Sequence, residues 1–260
     1  AGAKLGIPVA HVEAGLRSYN RAMPEEHNRV LTDHASDLLF CPTQTAVDNL
    51  AREGIVRGVH LVGDVMYDAI LHNASLAEAR SRVLDELGLS PGGYSLATIH
   101  RSGNTDDPER LSAILAALAE IGEQKPVVFP VHPRTRRAIS NLAEAKALRL
   151  DASRSGDPHA RGGGLRVVGP QGYLDMLALE RHARLILTDS GGVQKEAFFF
   201  AVPCLTLREE TEWPETVRAG WNLLVGADKE AIVEAAWDFR PEGEPPFLFG
   251  TGHAADDIVR

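Results

Sequence analysis

RLILTDSGGVQKEAFFFAVPCLTLR, residues 184–208, decides the fold class. The apolar run RLILT ends at Asp189-Ser190-Gly191-Gly192, a helical stretch follows to Ala201, and Pro203 opens a second apolar run. A short apolar run without polar alternation reads as a strand covered on both faces. Strand, helix and strand in succession make a βαβ unit, hence a parallel sheet. Ser190, Gly191 and Gly192 stand where the strand gives way to the helix. Free backbone N–H groups and the helix dipole converge there. Glycines would let phosphate oxygens approach the backbone, Ser190 would add a hydroxyl, and Glu196 could accept from ribose hydroxyls. The alternative is a tight turn with glycine kept for packing.

Working outward, the same cycle recurs. Downstream of Tyr94 come SLATIH, PVVFPVH, LRVVG, RLILTD, PCLTLR and NLLVG as strands, with helical stretches between most of them. Six strands suffice for a complete doubly wound sheet. Upstream, IPVAHVEA (7–14), DLLFCPT and GVHLVGD give three strands, with a helix opening at Pro24-Glu25-Glu26 and another in TQTAVDNLAREG. YDAILHNASLAEARSRVLDELGL reads as one further helix, and SRSGDPHARGGG (153–164) as a polar, mobile loop. The expected architecture is α/β, with two doubly wound Rossmann-like domains, the first incomplete. The expected parts are 1–65, the remainder of the first domain, 66–246, the second, and 247–260, a segment returning to the first. The chain opens on AGAKLGIPVA, a helix end running into a strand, so an N-terminal truncation is expected.

Composition narrows the classes. The 260 residues are 44% hydrophobic and 24% charged, ordinary for a globular protein. A net charge of −9 argues against a nucleic-acid binder, which shows a basic face. An anionic ligand needs only a few placed donors and stays open. Cys41 and Cys204 are too few and too far apart for a disulfide framework. No apolar run approaches the roughly 20 residues of a membrane span. The ten histidines are scattered, so no metal is expected. H-E-x-x-H, P-loop, G-x-G-x-x-G and G-x-S-x-G patterns are absent.

Three further stretches carry chemistry. In HVEAGLRSYNRAMPEEHNR (11–29), Glu13 ends a strand, and Glu25 and Arg29 lie four apart on one helix face. Paired carboxylates beside a cation can divide acid and base roles; a capping acid with a solvated ion pair is the plainer reading. His100-Arg101 and His132-Pro133-Arg134 end consecutive strands, which favours an anion site. REETEWPE (208–215) either reads a sugar or base or is a solvated loop.

HVEAGLRS, PEEHNRVLTDH, ATIHR, HPR, TDSGGVQKEA and REETEWPE, in this order over nearly the whole chain, resemble the non-hydrolysing UDP-N-acetylglucosamine 2-epimerases. The resemblance implies the GT-B type of fold, with the nucleotide in an interdomain cleft. It implies a cytoplasmic homodimer, without cofactor, that interconverts UDP-N-acetylglucosamine and UDP-N-acetylmannosamine for surface polysaccharide synthesis. UDP leaves with anti elimination of the C2 proton, giving 2-acetamidoglucal; UDP then re-adds and C2 is protonated from the other face. Glu13 and Glu25 would be acid/base carboxylates supported by Arg29, and His100 would serve the leaving diphosphate. Arg101 and Arg208 would bind the substrate, Ser190, Gly191 and Gly192 its phosphate, Glu196 the ribose, and the backbone near Met176 would meet the uracil. The family also has a catalytic Asp in a GDT-like segment upstream of Ala1, and a Glu where Gly103 stands here. A UDP-diacetamido-uronic acid as substrate, a GT-B glycosyltransferase and a non-catalytic UDP-sugar-binding fragment remain alternatives.

Overall fold

A computed structural model describes residues 2–142 and 164–260. The expected loop at 153–164 lies, but for Gly164, outside the described residues. The chain divides into two compact units, one of Ala1–His72, Glu210–Glu215 and Pro246–Arg260, the other of Asn73–Glu209 and Thr216–Pro245. Among the described residues no helix is long and apolar enough to cross a membrane.

The first unit holds a parallel sheet of β1 (Ala10–Val12), β2 (Leu38–Cys41) and β3 (Val59–Leu61) in sequential order. Ala14, Leu39, Cys41, Ala46 and Leu50 form its buried core. The strand expected at 7–14 is shortened to three residues, and just past its end Glu13 adopts φ +65°, which turns the chain out of the sheet. A left-handed backbone at a non-glycine residue costs roughly 1–2 kcal/mol, so the surroundings must enforce it.

The second unit holds β4 (Ser95–Thr98), β5 (Val127–Pro130), β6 (Leu165–Val168), β7 (Leu185–Thr188), β8 (Cys204–Thr206) and β9 (Asn222–Leu224), all parallel. Their order is β6-β5-β4-β7-β8-β9. The chain therefore lays strands outward from β4 in one direction, then returns and lays strands outward from β7 in the other. The order reverses between β4 and β7, and ligands of open α/β sheets bind beyond the carboxyl ends of strands at such a reversal. Both strands are buried along their length, as continuous apolar runs predict. The main core is built from Ala97, Leu111, Ile114, Leu118, Phe129, Leu187, Leu205 and Ile232, among others.

Two expectations need correction. The single helix expected over 67–89 is two, Val65–Arg80 and Val83–Glu86. Ser81 breaks it: its hydroxyl accepts from Val83 N at 3.3 Å and donates to Asp175 at 2.6 Å, competing with the helical ladder. One of the two readings of the charged run 208–215, a solvated loop, fails from Glu210 on. Its part Glu210–Glu215 belongs to the first unit, where Trp213 is buried edge-on against Phe249, with ring centroids 5.8 Å apart. Glu210, Glu212 and Glu215 accept from Asn20, Arg29 and Thr43. The leading segment of the first unit ends at His72, within the Val65–Arg80 helix. Asp68, on that helix, accepts from Ala255 N at 2.8 Å, which ties its first half to the C-terminal segment.

Candidate active site

Two clusters of the expected site residues form, one in each unit. In the first unit, Glu13 follows β1 and is partly exposed. The turn that carries it is held from below by Asp33, fully buried on the Pro24–His34 helix. Asp33 accepts from His11 Nδ1 at 2.6 Å, Gly15 N at 3.2 Å and Arg17 Nη1 at 2.6 Å. Burial pushes the Asp33 carboxyl up, but His11 and Arg17 outweigh it and hold it below the usual carboxylate range. Gly15 is required: a Cβ there would lie 2.3 Å from the Ala46 carbonyl oxygen. Asn49 Nδ2 donates to the Gly15 carbonyl at 2.9 Å, completing the clamp.

Glu25 and Glu26 share the first helical turn but divide their tasks. Glu26 is 4% exposed and accepts from Ser18 N, Ser18 Oγ and Tyr19 N at 2.9–3.0 Å. Glu25 is exposed. The sequence paired Arg29 with Glu25 by helical spacing. The structure gives Arg29 two carboxylate partners the sequence did not single out, Glu26 at 3.5 Å and Glu212 at 3.3 Å. Glu26 thus locks the loop and Arg29, and Glu25 stands on that braced turn at the solvent side.

In the second unit, the carboxyl ends of β4 and β7 lie side by side, with Thr98 and Thr188 in register and their hydroxyls 2.6 Å apart. Asp189 follows Thr188 and is fully buried. It accepts from His100 N at 3.0 Å, Arg101 N at 3.0 Å and Asn104 Nδ2 at 3.1 Å. One buried carboxylate therefore fixes His100 and Arg101 against the Ser190-Gly191-Gly192 turn. The His100 imidazole is about half exposed, with Nδ1 3.7 Å from Asp189. Partial burial, then Arg101 and His132, hold its pKa below the ordinary histidine value against the opposing pull of Asp189. His132 caps the next helix, accepting from Arg134 N at 3.3 Å, so the HPR motif is partly structural.

Ser190 caps the Gly191–Phe199 helix, its Oγ accepting from Val193 N at 3.4 Å. The N–H groups of the glycines in that first turn have no helical acceptor. Gly192 is not kept for packing: a Cβ there would meet only Ser190 Oγ, at 3.8 Å, and its φ is not positive. Arg208, at the end of β8, is buried, as is Glu196 at 7% exposure. Met176 is half-buried, and its N–H is already spent on the Gly172 carbonyl at 2.9 Å. The helix starting at Tyr173 has no side-chain cap, so the backbone donors open to a ligand precede Met176. A side chain at Gly103 would meet open space. Asp33, Glu26 and Asp189 stand inside motifs the sequence singles out, but no role for them could be read there, since each acts through partners distant along the chain.

A sequence model of the UDP-N-acetylglucosamine 2-epimerase family matches residues 1–260. The chain is 50% identical to a UDP-N-acetylglucosamine 2-epimerase homolog of Methanococcus maripaludis, covering all of this chain and 70% of that protein. The chain belongs to the UDP-N-acetylglucosamine 2-epimerase family. It is also 50% identical to the UDP-2,3-diacetamido-2,3-dideoxy-D-glucuronate 2-epimerase of Pseudomonas aeruginosa, over 100% of this chain and 69% of the relative. A crystal structure of the Methanocaldococcus jannaschii UDP-GlcNAc 2-epimerase in complex with UDP-GlcNAc and UDP is similar at 43% identity and a TM-score of 0.87, covering 100% of this chain and 70% of that one. As an epimerase-family chain it has the expected fold class, α/β with Rossmann-like units of the GT-B type.

The family assignment sharpens the meaning of Gly192. Alanine is favoured over glycine in helices by up to about 1 kcal/mol, so Gly192→Ala is expected to leave stability unchanged or slightly raised. The same methyl group would stand over the open N–H groups. UDP affinity is expected to fall about 10-fold or more, the equivalent of about 1.4 kcal/mol. Thermal unfolding and calorimetric titration with UDP on the same sample check both halves; equal UDP affinity would return the glycine to a neutral role.

Proposed function

We propose that this protein interconverts UDP-N-acetylglucosamine and UDP-N-acetylmannosamine by eliminating and re-adding UDP. The observation that carries the reading is the meeting of His100, Arg101 and the open Ser190-Gly191-Gly192 turn at the β4/β7 reversal, all tied to one buried Asp189. Such a turn offers fixed donors to a diphosphate, and Glu196 in the same helix offers an acceptor to ribose.

In this reading a carboxylate, Glu13 or Glu25, takes the C2 proton as the C1–O bond breaks. The electron pair of the C2–H bond becomes the C1–C2 double bond of 2-acetamidoglucal, and that of the C1–O bond leaves with UDP. His100 and the turn hold the charge that develops on the leaving diphosphate. UDP then re-adds to C1 while the other carboxylate delivers a proton to the opposite face of C2. The C2 proton is weakly acidic, so a placed base is needed. Arg29, fixed by Glu26 and Glu212, supports the carboxylate pair. The homodimer, the cytoplasmic location and the polysaccharide-precursor role implied by the resemblance belong to the same reading.

The test uses the protein expressed from its complete reading frame. With UDP-N-acetylglucosamine in deuterated water it should yield UDP-N-acetylmannosamine carrying deuterium at C2. Epimerisation with the original hydrogen retained would overturn elimination with solvent exchange, and no epimerisation would overturn the activity. The equal identity to the Pseudomonas aeruginosa enzyme supports a second reading, with a UDP-diacetamido-uronic acid as substrate. A higher kcat/KM on that compound than on UDP-N-acetylglucosamine would move the assignment to it.

A further inference from the structure

Glu180 lies on the Tyr173–Arg181 helix, with the residue 1% exposed. Its carboxyl group hydrogen-bonds that of Glu196, on the neighbouring Gly191–Phe199 helix. Its Oε2 is buried without a partner among the described residues. Two carboxyl groups in hydrogen-bond contact away from water cannot both carry charge, so the pair retains a proton.

The groups around the pair decide where that proton sits. On Glu180's own helix stands Tyr173, and before β4 stands Tyr94, whose hydroxyl donates to the Leu179 carbonyl at 2.6 Å and is thereby spent. Cys204 on β8 is buried, with its pKa pushed up to about 12 by that burial, and stays a neutral thiol. Burial raises the Glu196 carboxyl too, but the buried cation Lys195, next to it in the chain, and the hydrogen bond with Glu180 pull it back toward the charged form. Burial first, then Glu196, pushes the Glu180 carboxyl well above its ordinary range. The acid O–H therefore belongs to Glu180 and the charge to Glu196.

We propose that Glu180 is a positioning residue of the nucleotide site: hydrogen-bonded to Glu196 in the interior, it aims that carboxylate as the acceptor for the vicinal hydroxyls of a nucleotide ribose. The proposal rests on the reading of Glu196 as the ribose contact. A lone carboxylate on a helix can rotate among rotamers. One fixed donor removes that freedom and leaves the outward lone pairs for the ligand. The donor exists only while Glu180 keeps its proton. A group whose pKa is raised in the folded protein gives its contribution below that value and loses it as pH rises through it. UDP affinity should therefore fall on the alkaline side, apart from the titration of His100, which lies on the acid side.

The experiment is calorimetric titration of the protein with UDP across pH, for the wild type, Glu180→Gln and Glu180→Leu. The amide of Gln keeps a donor to Glu196, so Glu180→Gln should bind within about 3-fold of wild type at neutral pH and lose the alkaline fall. Leu, close in size and without a donor, should bind about 10-fold more weakly, as for one lost hydrogen bond to a charged group. Equal weakening by Gln and Leu, or the same alkaline fall in wild type and Glu180→Gln, would overturn the proposal. If Glu180→Leu does not fold, the pH profile of Glu180→Gln decides alone. Infrared spectroscopy reads the pair without any ligand: a protonated-carboxyl carbonyl band should be present in wild type and missing in Glu180→Gln, and its absence from wild type would overturn the shared proton itself. Glu196→Ala separates the two readings. Unchanged UDP affinity there would overturn the ribose contact, and with it the role given to Glu180, even with the carbonyl band in place.

Discussion

Glu13→Gln and Glu25→Gln are each expected to slow exchange of the sugar C2 proton with solvent deuterium by about 10²-fold or more, the usual cost of a lost acid/base group, while UDP affinity barely changes. The structure supplies the reason to expect a clean result. The buried networks that hold the first unit together are centred on other carboxylates. Those are Asp33 with His11, Gly15 and Arg17, and Glu26 with Ser18, Tyr19 and Arg29. Glu13 is partly exposed and Glu25 exposed, so an isosteric amide should leave folding intact. Glu26→Gln is the informative contrast. It weakens three charge-assisted hydrogen bonds in the interior, each worth about 1.5–3 kcal/mol, and should show itself as lost thermal stability as well as lost turnover. Proton exchange at C2 is followed by NMR. Exchange at the wild-type rate in either Glu13→Gln or Glu25→Gln would make that residue structural.

His100→Ala is expected to reduce turnover by about 10²-fold and to weaken UDP binding together with it. His100 is fixed through its backbone N–H to the same carboxylate that precedes the Ser190-Gly191-Gly192 turn. Its side chain is free to meet a ligand, being about half exposed. Its pKa is held below the ordinary value, so near neutral pH the imidazole is uncharged in the free protein. A diphosphate beside it favours the protonated form. UDP binding should then take up a proton near and just below the ordinary histidine pKa of about 6.5, and affinity should fall as pH rises through the bound-state value. Calorimetry in two buffers of different ionisation enthalpy measures that uptake, which His100→Ala should abolish. Lost turnover with unchanged UDP binding would move His100 to the sugar, and no change in either would leave it closing the strand end.

The sequence was most legible where chemistry and backbone coincide in a short stretch. Continuous apolar runs ending in Asp189-Ser190-Gly191 or Ile99-His100-Arg101 announced strands with polar tips, because a buried parallel strand has no other place for a polar residue than its end. The helix starting at Pro24 was legible for a similar local reason, proline being preset for the first turn. Misreadings arose where one side chain outranked a local pattern. Ser81 ended a helix whose periodicity ran on to Leu89, and Glu13 ended a strand whose apolar run continued to Ala14.

Which of two adjacent glutamates is buried could not be read from PEE, since both stand in the first helical turn. Burial follows from Ser18 and Tyr19, which the fold brings to Glu26 and not to Glu25. Likewise REETEWPE has the composition of a solvated loop. Three of its four glutamates are accounted for by Asn20, Arg29 and Thr43, as many as 190 residues away in the chain, and Glu209 by Arg110. By itself, then, the sequence determined the alternation of strands and helices, the parallel sense of the sheets and the residue types at the strand ends, because these depend on neighbours within about a dozen positions. The tertiary structure alone decided that β4 and β7 lie side by side at the reversal of strand order, that Asp189 joins their ends, and that Glu180 meets Glu196. Those are pairings between distant segments, fixed by the packing of a common core, and a one-dimensional pattern does not record which strand becomes whose neighbour.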